Sequence, residues 1–468
     1  MVRGHVQGFM IGAVLLGTLF IAGHSFFFGS GIESNIITSY QGATCTEGEI
    51  LIRFRPDIDR AAIRTFMLSS QVQDLEVIPG IDVHRLKILS GSSLPDKLAV
   101  LSRDSRVEFA EPNYCLHLAS TIPNDPYFRF QWAMQNTGQP IAPPAFYLPS
   151  GTAGADIKAS EAWDVFQGTT ATIVGVVDTG VDLTHPDLIN HIVSSGLDFP
   201  NNDDVAQDDH GHGTHVAGTI GAEGNNGLGV SGVNWNVQIL PIKVFDEGAL
   251  GKTSWVANGI IYAASHGARV INMSLGGSDV VVNQTLELAI KYAYDRNVVM
   301  VAAAGNDGLA GVWYPAAYNP YVLAAAATDQ NDQRVTLDST DGLFGSNYGP
   351  EVDVAAPGID ILSTWGIGLY KRGHPGFQGY VYNWGTSSST AFVSGLAALL
   401  ISFQPELSNS DVMAIIKFSA DDVNFATLPG RDDYLGYGRI NASRALMLAY
   451  YWSFFRGRIG GLAFPAGL

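Results

Sequence analysis

The chain has 468 residues, of which 46% are hydrophobic and 15% charged, and carries a formal net charge of −18 at pH 7. That length is too great for one small domain and suggests two or three globular units. The acid excess argues against a nucleic-acid partner. It fits a soluble acidic protein, or one that neutralises some carboxylates with calcium.

At the N-terminus, Arg3 and His5 precede an apolar run from Phe9 to Ala22, extended by Phe26-Phe27-Phe28. The run has the length of a signal-peptide core and is short for a membrane span. No Ala-x-Ala cleavage site follows. Residues 1–30 are therefore read as a signal peptide of a secreted or extracytoplasmic protein. The alternative is a membrane anchor formed by residues 6–28.

Residues 31–118 read as a small α+β unit. Strands are expected at Glu49–Phe54, Leu75–Ile78, Val83–Ile88 and Val107–Ala110, with helices at Arg60–Ser69 and Leu94–Ser102. The order β-α-β-β-α-β is the ferredoxin-like split arrangement. Leu118 to Gly154 lacks periodicity and is rich in Pro, Gly, Asn and Ser, which reads as a linker becoming the extended arm of the next domain. That domain is placed at 119–449. In it, apolar strands (Thr172–Val177, Gln238–Val244, Val270–Met273, Val298–Ala303, Val322–Ala326) alternate with helical patterns (Gly213–Ile220, Ser254–His266, Gln284–Arg296). The pattern predicts an α/β fold with a mainly parallel sheet covered on both faces. Residues 450–468, aromatic and without clear period, are set apart as a tail.

In parallel sheets of this kind, reactive groups collect at the carboxyl ends of the strands. Asp178-Thr179-Gly180 follows one strand. His210-Gly211-His212-Gly213-Thr214-His215 comes next, and Gly385-Thr386-Ser387 runs into an apolar segment, Ala391 to Phe403, long enough for a buried helix. Taken alone, Thr386 and Ser387 read as helix-capping residues. Together with the Asp and the His they supply the parts of acyl transfer: a hydroxyl, a base to take its proton, and a carboxylate to orient that base. A dinucleotide-binding reading fails, because no Gly-x-Gly-x-x-Gly turn follows the first strand.

The segments NDPYF, VVDTGVD, HPDL, GHGTHVAGTI, NNGLGVSGV, INMSLGG, AAAGN, VDVAAPG, GTSSS and GYGRINASRAL, spread from Pro123 to Leu446, resemble the subtilisin-like serine proteases (subtilases), in particular the thermitase and fervidolysin type. The resemblance implies a subtilisin-like three-layer fold and an exported serine endopeptidase with an Asp-His-Ser triad. Ser387 would be the nucleophile, His212 the general base and Asp178 its orienting carboxylate. Asn306 would be an oxyanion donor beside the Ser387 N–H, while His215 reads as structural. Ser274-Leu275-Gly276-Gly277 matches the segment that pairs edge-on with an extended polypeptide substrate. The segments near Leu275–Gly277 and Ala303–Asn306 look open, which fits a preference for large apolar side chains. Asp125, Asp187 and Asn226 match side-chain ligands of a structural calcium site, and Leu228 and Val230 its carbonyl ligands. A further carbonyl could come from Glu223 or Gly224. No organic cofactor is implied.

The front domain resembles the fervidolysin-type propeptide, from GEILIRF to VEFAEPNY. Such a domain would act as an intramolecular chaperone and inhibitor, removed by a cut between Cys115 and Pro123. In a ferredoxin-like sheet the first and last strands are neighbours, which would bring Cys45 near Cys115. A disulfide is expected there, with two unpaired thiols as the alternative. The sequence departs from the family after the nucleophile: Ser388-Ser389-Thr390-Ala391-Phe392 stands where Met-Ala-x-Pro-His is usual. The missing proline puts the aim of Ser387 in question and keeps open a second function class, a catalytically silent subtilase fold used as a binding scaffold.

Overall fold

In a computed structural model that describes residues 49–89, 94–113, 121–146, 148–277, 282–366, 368–369 and 376–459, the chain divides into two units, Met1–Cys115 and Leu116–Leu468. The expected signal segment, Cys45 and Cys115 lie outside the described residues, and with them the expected disulfide.

The first unit follows the order β1 (Glu49–Phe54), α1 (Arg60–Ser69), β2 (Val72–Ile78), β3 (Val83–Ile88), α2 (Leu94–Leu101) and β4 (Val107–Pro112). Its sheet runs β2-β3-β1-β4, with every neighbouring pair antiparallel. Alternation in β1 explains the layering: Ile50, Ile52 and Phe54 are buried against Phe66 of α1 and Leu101 of α2. Asp59 starts α1 by accepting the Ala62 N–H at 2.7 Å.

The second unit holds α3 (Ala159–Trp163), β5 (Ile173–Asp178), β6 (Leu197–Asp198), α4 (His212–Gly221), β7 (Gln238–Lys243), α5 (Thr253–Ser265), β8 (Ala268–Met273), α6 (Gln284–Tyr294), β9 (Val299–Ala303) and β10 (Val322–Thr328). It continues with β11 (Val354–Pro357), β12 (Ile361–Thr364), β13 (Gly376–Phe377), β14 (Tyr380–Asn383), α7 (Thr386–Phe403), α8 (Asn409–Phe418) and α9 (Ala442–Ile459). The main sheet has the order β11-β10-β9-β8-β5-β7-β6, all parallel. The short strands β12, β14 and β13 form a separate antiparallel sheet.

Both faces of the main sheet are covered, and the period of two in the strands divides the core. Val299 and Val301 of β9 and Leu323 and Ala325 of β10 point to the layer of α4, α7, α8 and α9. Met300, Ala302, Val322 and Ala324 point to the layer of α5 and α6. Helix α7 is the centre of the first layer. It packs on β8, β9, β10 and β11 and on α4, and Ser388 through Ser402 are all buried. This helix is long and apolar enough to cross a membrane, but its burial makes it a core element. With alanine rather than proline at 391, the helix runs unbroken from Thr386. The border expected at 449/450 falls inside α9, which continues to Ile459.

Candidate active site

Three chain segments reach the same edge of the main sheet. Asp178 is the last residue of β5, the segment after β8 carries Ser274, and the segment after β9 carries Asn306. The N-termini of the packed helices α4 and α7 bring His212 and Ser387. Strand carboxyl ends facing helix N-termini are the usual locus of chemistry in such sheets.

Asp178 is 1% exposed. Its Oδ1 accepts the His212 Nδ1–H at 2.7 Å and the Thr179 N–H at 2.8 Å. A proton held on Nδ1 leaves Nε2 of a neutral imidazole as the acceptor, the tautomer that a general base needs. His212 is the first residue of α4, where the helix dipole opposes a positive charge. Two buried carboxylates offset this, Asp178 and Asp208. Asp208 accepts from the Thr179 hydroxyl, the N–H groups of His210, Gly211 and Thr214, and the Thr214 hydroxyl. One carboxylate thus ties the Asp178 turn to the first turn of the histidine helix. Lys243, fully buried, fixes the same turn by donating to the Thr179 carbonyl at 2.9 Å and to Asp209 at 2.6 Å. His215, one turn into α4, is buried and bonded through Nε2 to the Ile361 carbonyl at 2.9 Å.

Ser387 is the second residue of α7. Its hydroxyl donates to the Ser274 carbonyl at 3.2 Å, and the Ser274 hydroxyl donates to the Ser387 carbonyl at 2.8 Å. Behind this pair, Asn272 Nδ2 donates to the Ser274 hydroxyl at 2.9 Å, and the Ser394 hydroxyl donates to Asn272 Oδ1 at 2.9 Å. The Ser387 backbone is therefore held by a buried polar chain reaching across from β8 to the interior of α7.

Asn306 Oδ1 accepts from both the N–H and the hydroxyl of Thr386, each at 2.9 Å. With the oxygen so occupied, the amide is oriented and Nδ2 remains as donor. Gly385 precedes Thr386 with φ +125°, and a Cβ built there would lie 3.5 Å from the Asn306 amide. Glycine supplies both the backbone angle and the open space beside that amide.

The expected calcium residues come together elsewhere, around residues 225–230. Asp125 accepts the backbone N–H groups of Asn225, Asn226 and Gly227. Asp187 accepts from Asn226 Nδ2 at 2.8 Å, the Val230 N–H at 3.0 Å and the Tyr380 hydroxyl at 3.1 Å. Both carboxylates are buried, and among the described residues neither has a cationic partner. Burial raises both acids, Asp187 to about 6, with the neighbouring Asp125 adding to the rise. A pair of buried carboxylates with no cationic partner among the described residues, in the same loop cluster as Leu228 and Val230, fits a hard cation. Asn226 turns its Nδ2 rather than Oδ1 to Asp187, so its role as an oxygen ligand needs a half-turn of the amide. Among the described residues there is no cluster of three His, Cys, Asp or Glu side chains for a metal. A cation held here would rest on two carboxylates, one amide and the carbonyls of Leu228 and Val230.

Comparison with known proteins identifies the family. The subtilase family profile matches residues 169–438, more than half of the chain. The chain belongs to the subtilase family. It is a serine-type endopeptidase, a hydrolase, and residues 32–113 match the fervidolysin N-terminal prodomain. It is 35% identical over 417 residues to a thermophilic serine proteinase of Bacillus sp. strain AK1, covering 88% of this chain and 90% of that protein. It is 39% identical over 324 residues to thermitase of Thermoactinomyces vulgaris, covering 69% of this chain and 99% of thermitase. Among solved structures, a protease from Pseudoalteromonas arctica PAMC 21717 superposes with a TM-score of 0.57 at 31% identity, covering 70% of this subtilase and 100% of that chain. The three-layer fold and the α+β front unit expected from sequence are those found. Sequence reasoning missed Asp208, Thr179, Asn272 and Ser394. Their links between segments, Asp208 to Thr179 and Ser394 to Asn272, join residues remote in the chain, and no spacing rule announces them.

Proposed function

We propose that this subtilase is exported as a zymogen and hydrolyses peptide bonds through Asp178, His212 and Ser387. The observation that carries the reading is the 2.7 Å bond from His212 Nδ1 to Asp178. It presents Nε2 as a base on the helix packed beside the one that carries Ser387. The Ser387 hydroxyl leaves the Ser274 carbonyl, gives its proton to Nε2 and attacks the scissile carbonyl. The oxyanion is met by Asn306 Nδ2 and the Ser387 N–H at the start of α7. The imidazolium, stabilised by Asp178, returns the proton to the leaving amine. Water then attacks the acyl-enzyme by the same route, with His212 again taking and returning the proton. Extended substrate pairs along Ser274–Gly277, the segment that continues β8 beside Ser387.

The prodomain inhibits its own protease until a cut between Cys115 and Pro123. Calcium bound by Asp125, Asp187, Asn226, Leu228 and Val230 supplies structural charge compensation and takes no part in the reaction. The N-terminal segment directs export, with membrane attachment only where it is retained.

The test is a time course of the purified full chain in calcium, beside Ser387→Ala, with mass and N-terminal sequencing. The wild type is expected to trim itself between Cys115 and Pro123 and gain peptidase activity, while the variant stays whole. If neither is cut, and removal of the front domain by another protease releases no activity, the silent-scaffold reading replaces this one.

A further inference from the structure

We propose that Trp313 closes the slot beside Ser387 and makes the enzyme select small side chains on the acyl side of the cleaved bond. The inference rests on the reading of Ser387 as nucleophile and departs from the open pocket suggested by the sequence.

The slot is formed where two parallel strands end. Strands β8 and β9 are paired up to Met273 and Ala302. Beyond that register their extensions separate, one running through Ser274 to Gly277 and the other through Ala304 to Asn306. Ser387 stands at the mouth, bonded to Ser274, and Asn306 at the opposite lip, bonded through Thr386. A peptide carbonyl under attack by Ser387, with its oxygen on Asn306, has these two extensions on either side. The side chain of the acyl residue then enters between them.

Trp313 occupies the far end of that space. A Cβ built on Gly305 would come within 2.8 Å of the indole ring, and one built on Gly276 within 3.1 Å of Trp313 Cβ and 3.2 Å of Cε3. One residue is thus in contact with a glycine on each wall, so it bridges the two extensions instead of leaving them apart. It is also held in place. The Trp313 N–H donates to the Ala304 carbonyl at 2.9 Å, and the indole Nε1–H to Asp307 at 2.9 Å. The next residue, Tyr314, pairs with Gly277. The buried Asn347 side chain accepts from the N–H groups of Asp307 and Leu309 and donates to the Gly311 carbonyl, fixing the loop that leads to Trp313. Swinging the indole aside breaks its bond to Asp307 and its contact with both glycines. A benzyl or isobutyl group therefore meets a fixed wall, whereas a methyl or hydroxymethyl group does not.

The chain's own processing region offers a second reading of the same preference. Between Cys115 and Pro123 stands Leu116-His117-Leu118-Ala119-Ser120-Thr121-Ile122. A slot for small side chains selects Ala119 or Ser120 over Leu116 and Leu118. A cut there leaves Thr121 at or one residue from the new end, where its N–H and hydroxyl are held by Asp164 at 2.6 Å.

The experiment compares the self-processed enzyme and its Trp313→Ala and Asp307→Leu variants. The substrates are two tetrapeptide p-nitroanilides that differ only in alanine or phenylalanine at the acyl residue. The ratio of kcat/KM within one preparation is read, so loss of folded enzyme does not affect it. The wild type is expected to favour alanine at least tenfold. Trp313→Ala is expected to raise kcat/KM for phenylalanine at least tenfold relative to alanine, and Asp307→Leu to move the ratio the same way by a smaller factor. The mature N-terminus is expected at Ser120 or Thr121. A wild-type preference for phenylalanine that Trp313→Ala leaves unchanged, or processing after Leu116 or Leu118, overturns the inference while leaving the protease reading intact. No hydrolysis of either peptide or of denatured casein overturns both.

Discussion

Asn306 Oδ1 accepts both the N–H and the hydroxyl of Thr386, so truncation removes the Nδ2 donor and also releases the turn that carries Ser387. Asn306→Ala is expected to lower kcat by roughly 10²–10³-fold with little change in KM, measured on a small peptide substrate. Asp208 acts at one remove. Its two oxygens take five hydrogen bonds from the asparate turn and the histidine helix. Asp208→Asn keeps the shape but puts a donor against the donors of Thr214. Each charge-assisted bond lost in a buried site costs about 1.5–3 kcal/mol. A lower melting temperature and a fall in kcat of more than about tenfold are expected, with KM held and the pH profile displaced. A profile and kcat unchanged beside a lower melting temperature assign Asp208 to stability alone. The contrast between these two residues shows what the sequence made legible. Asp178, His212 and Ser387 stood out because acyl transfer uses those side chains and they stand at glycine-flanked element ends, whereas Asn306 stood out only through the resemblance of AAAGN to the family. Ser394 did not, because its partner Asn272 is 122 residues away in the chain, and Asp208 did not, because nothing in its local bonds to residues 210–214 announces the reach back over 29 residues to Thr179.

At the scale of elements, α7 shows how a small N-terminal detail sets a site. Gly385 sits at φ +125°, in the region that side chains rarely adopt, immediately before the turn that holds Ser387. Gly385→Ala strains that turn and adds a methyl group at the Asn306 amide. It is expected to reduce kcat by an order of magnitude or more while the folded fraction, followed by circular dichroism, changes little. The long strands and helices were legible because a parallel sheet buried on both faces needs near-continuous apolar runs. The ends were less so: β5 extends one residue past its expected end to take in Asp178 itself. The small β12–β14–β13 sheet escaped sequence reading, since strands of two to four residues carry too little alternation. In the turn before β12, burial pushes Asp360 up to about 6. A carboxyl whose folded pKa lies above its unfolded value favours the fold at low pH. That contribution is lost as pH rises from about 4 through 6. Above pH 6 the buried charge costs roughly 1–3 kcal/mol by the size of that rise. Asp360→Asn is accordingly expected to raise the melting temperature at pH 8 and to leave it nearly unchanged at pH 4. A gain of equal size at both values assigns the effect to packing.

For the whole molecule, the carboxylates of Asp125 and Asp187 pose the larger electrostatic problem, because they are buried together without a cationic partner among the described residues. Asp125 lies on the extended arm ahead of α3, Asp187 in the segment after β5, and Asn226 and Val230 in the loop after α4, while Tyr380 of β14 reaches the same carboxylate. A cation there would link three segments that are distant in the chain, with Tyr380 bracing the second of them. It binds only where they are assembled, so its binding free energy adds to folding stability. At a free concentration a hundred times the dissociation constant, that addition is about 2.7 kcal/mol. In a unit of this size it corresponds to roughly 5 °C in melting temperature. Thermal unfolding of the Ser387→Ala chain, in which self-cleavage is absent, is expected to show a fall of about this size when calcium is replaced by a chelator. Asp187→Asn removes one ligand and also the repulsion between the two acids. Its melting temperature is expected to respond little to the chelator and to lie above that of the calcium-free parent. A parent that melts identically with and without calcium removes the cation from the account. The stability of the buried pair would then have to come from the N–H donors of residues 225–230 alone.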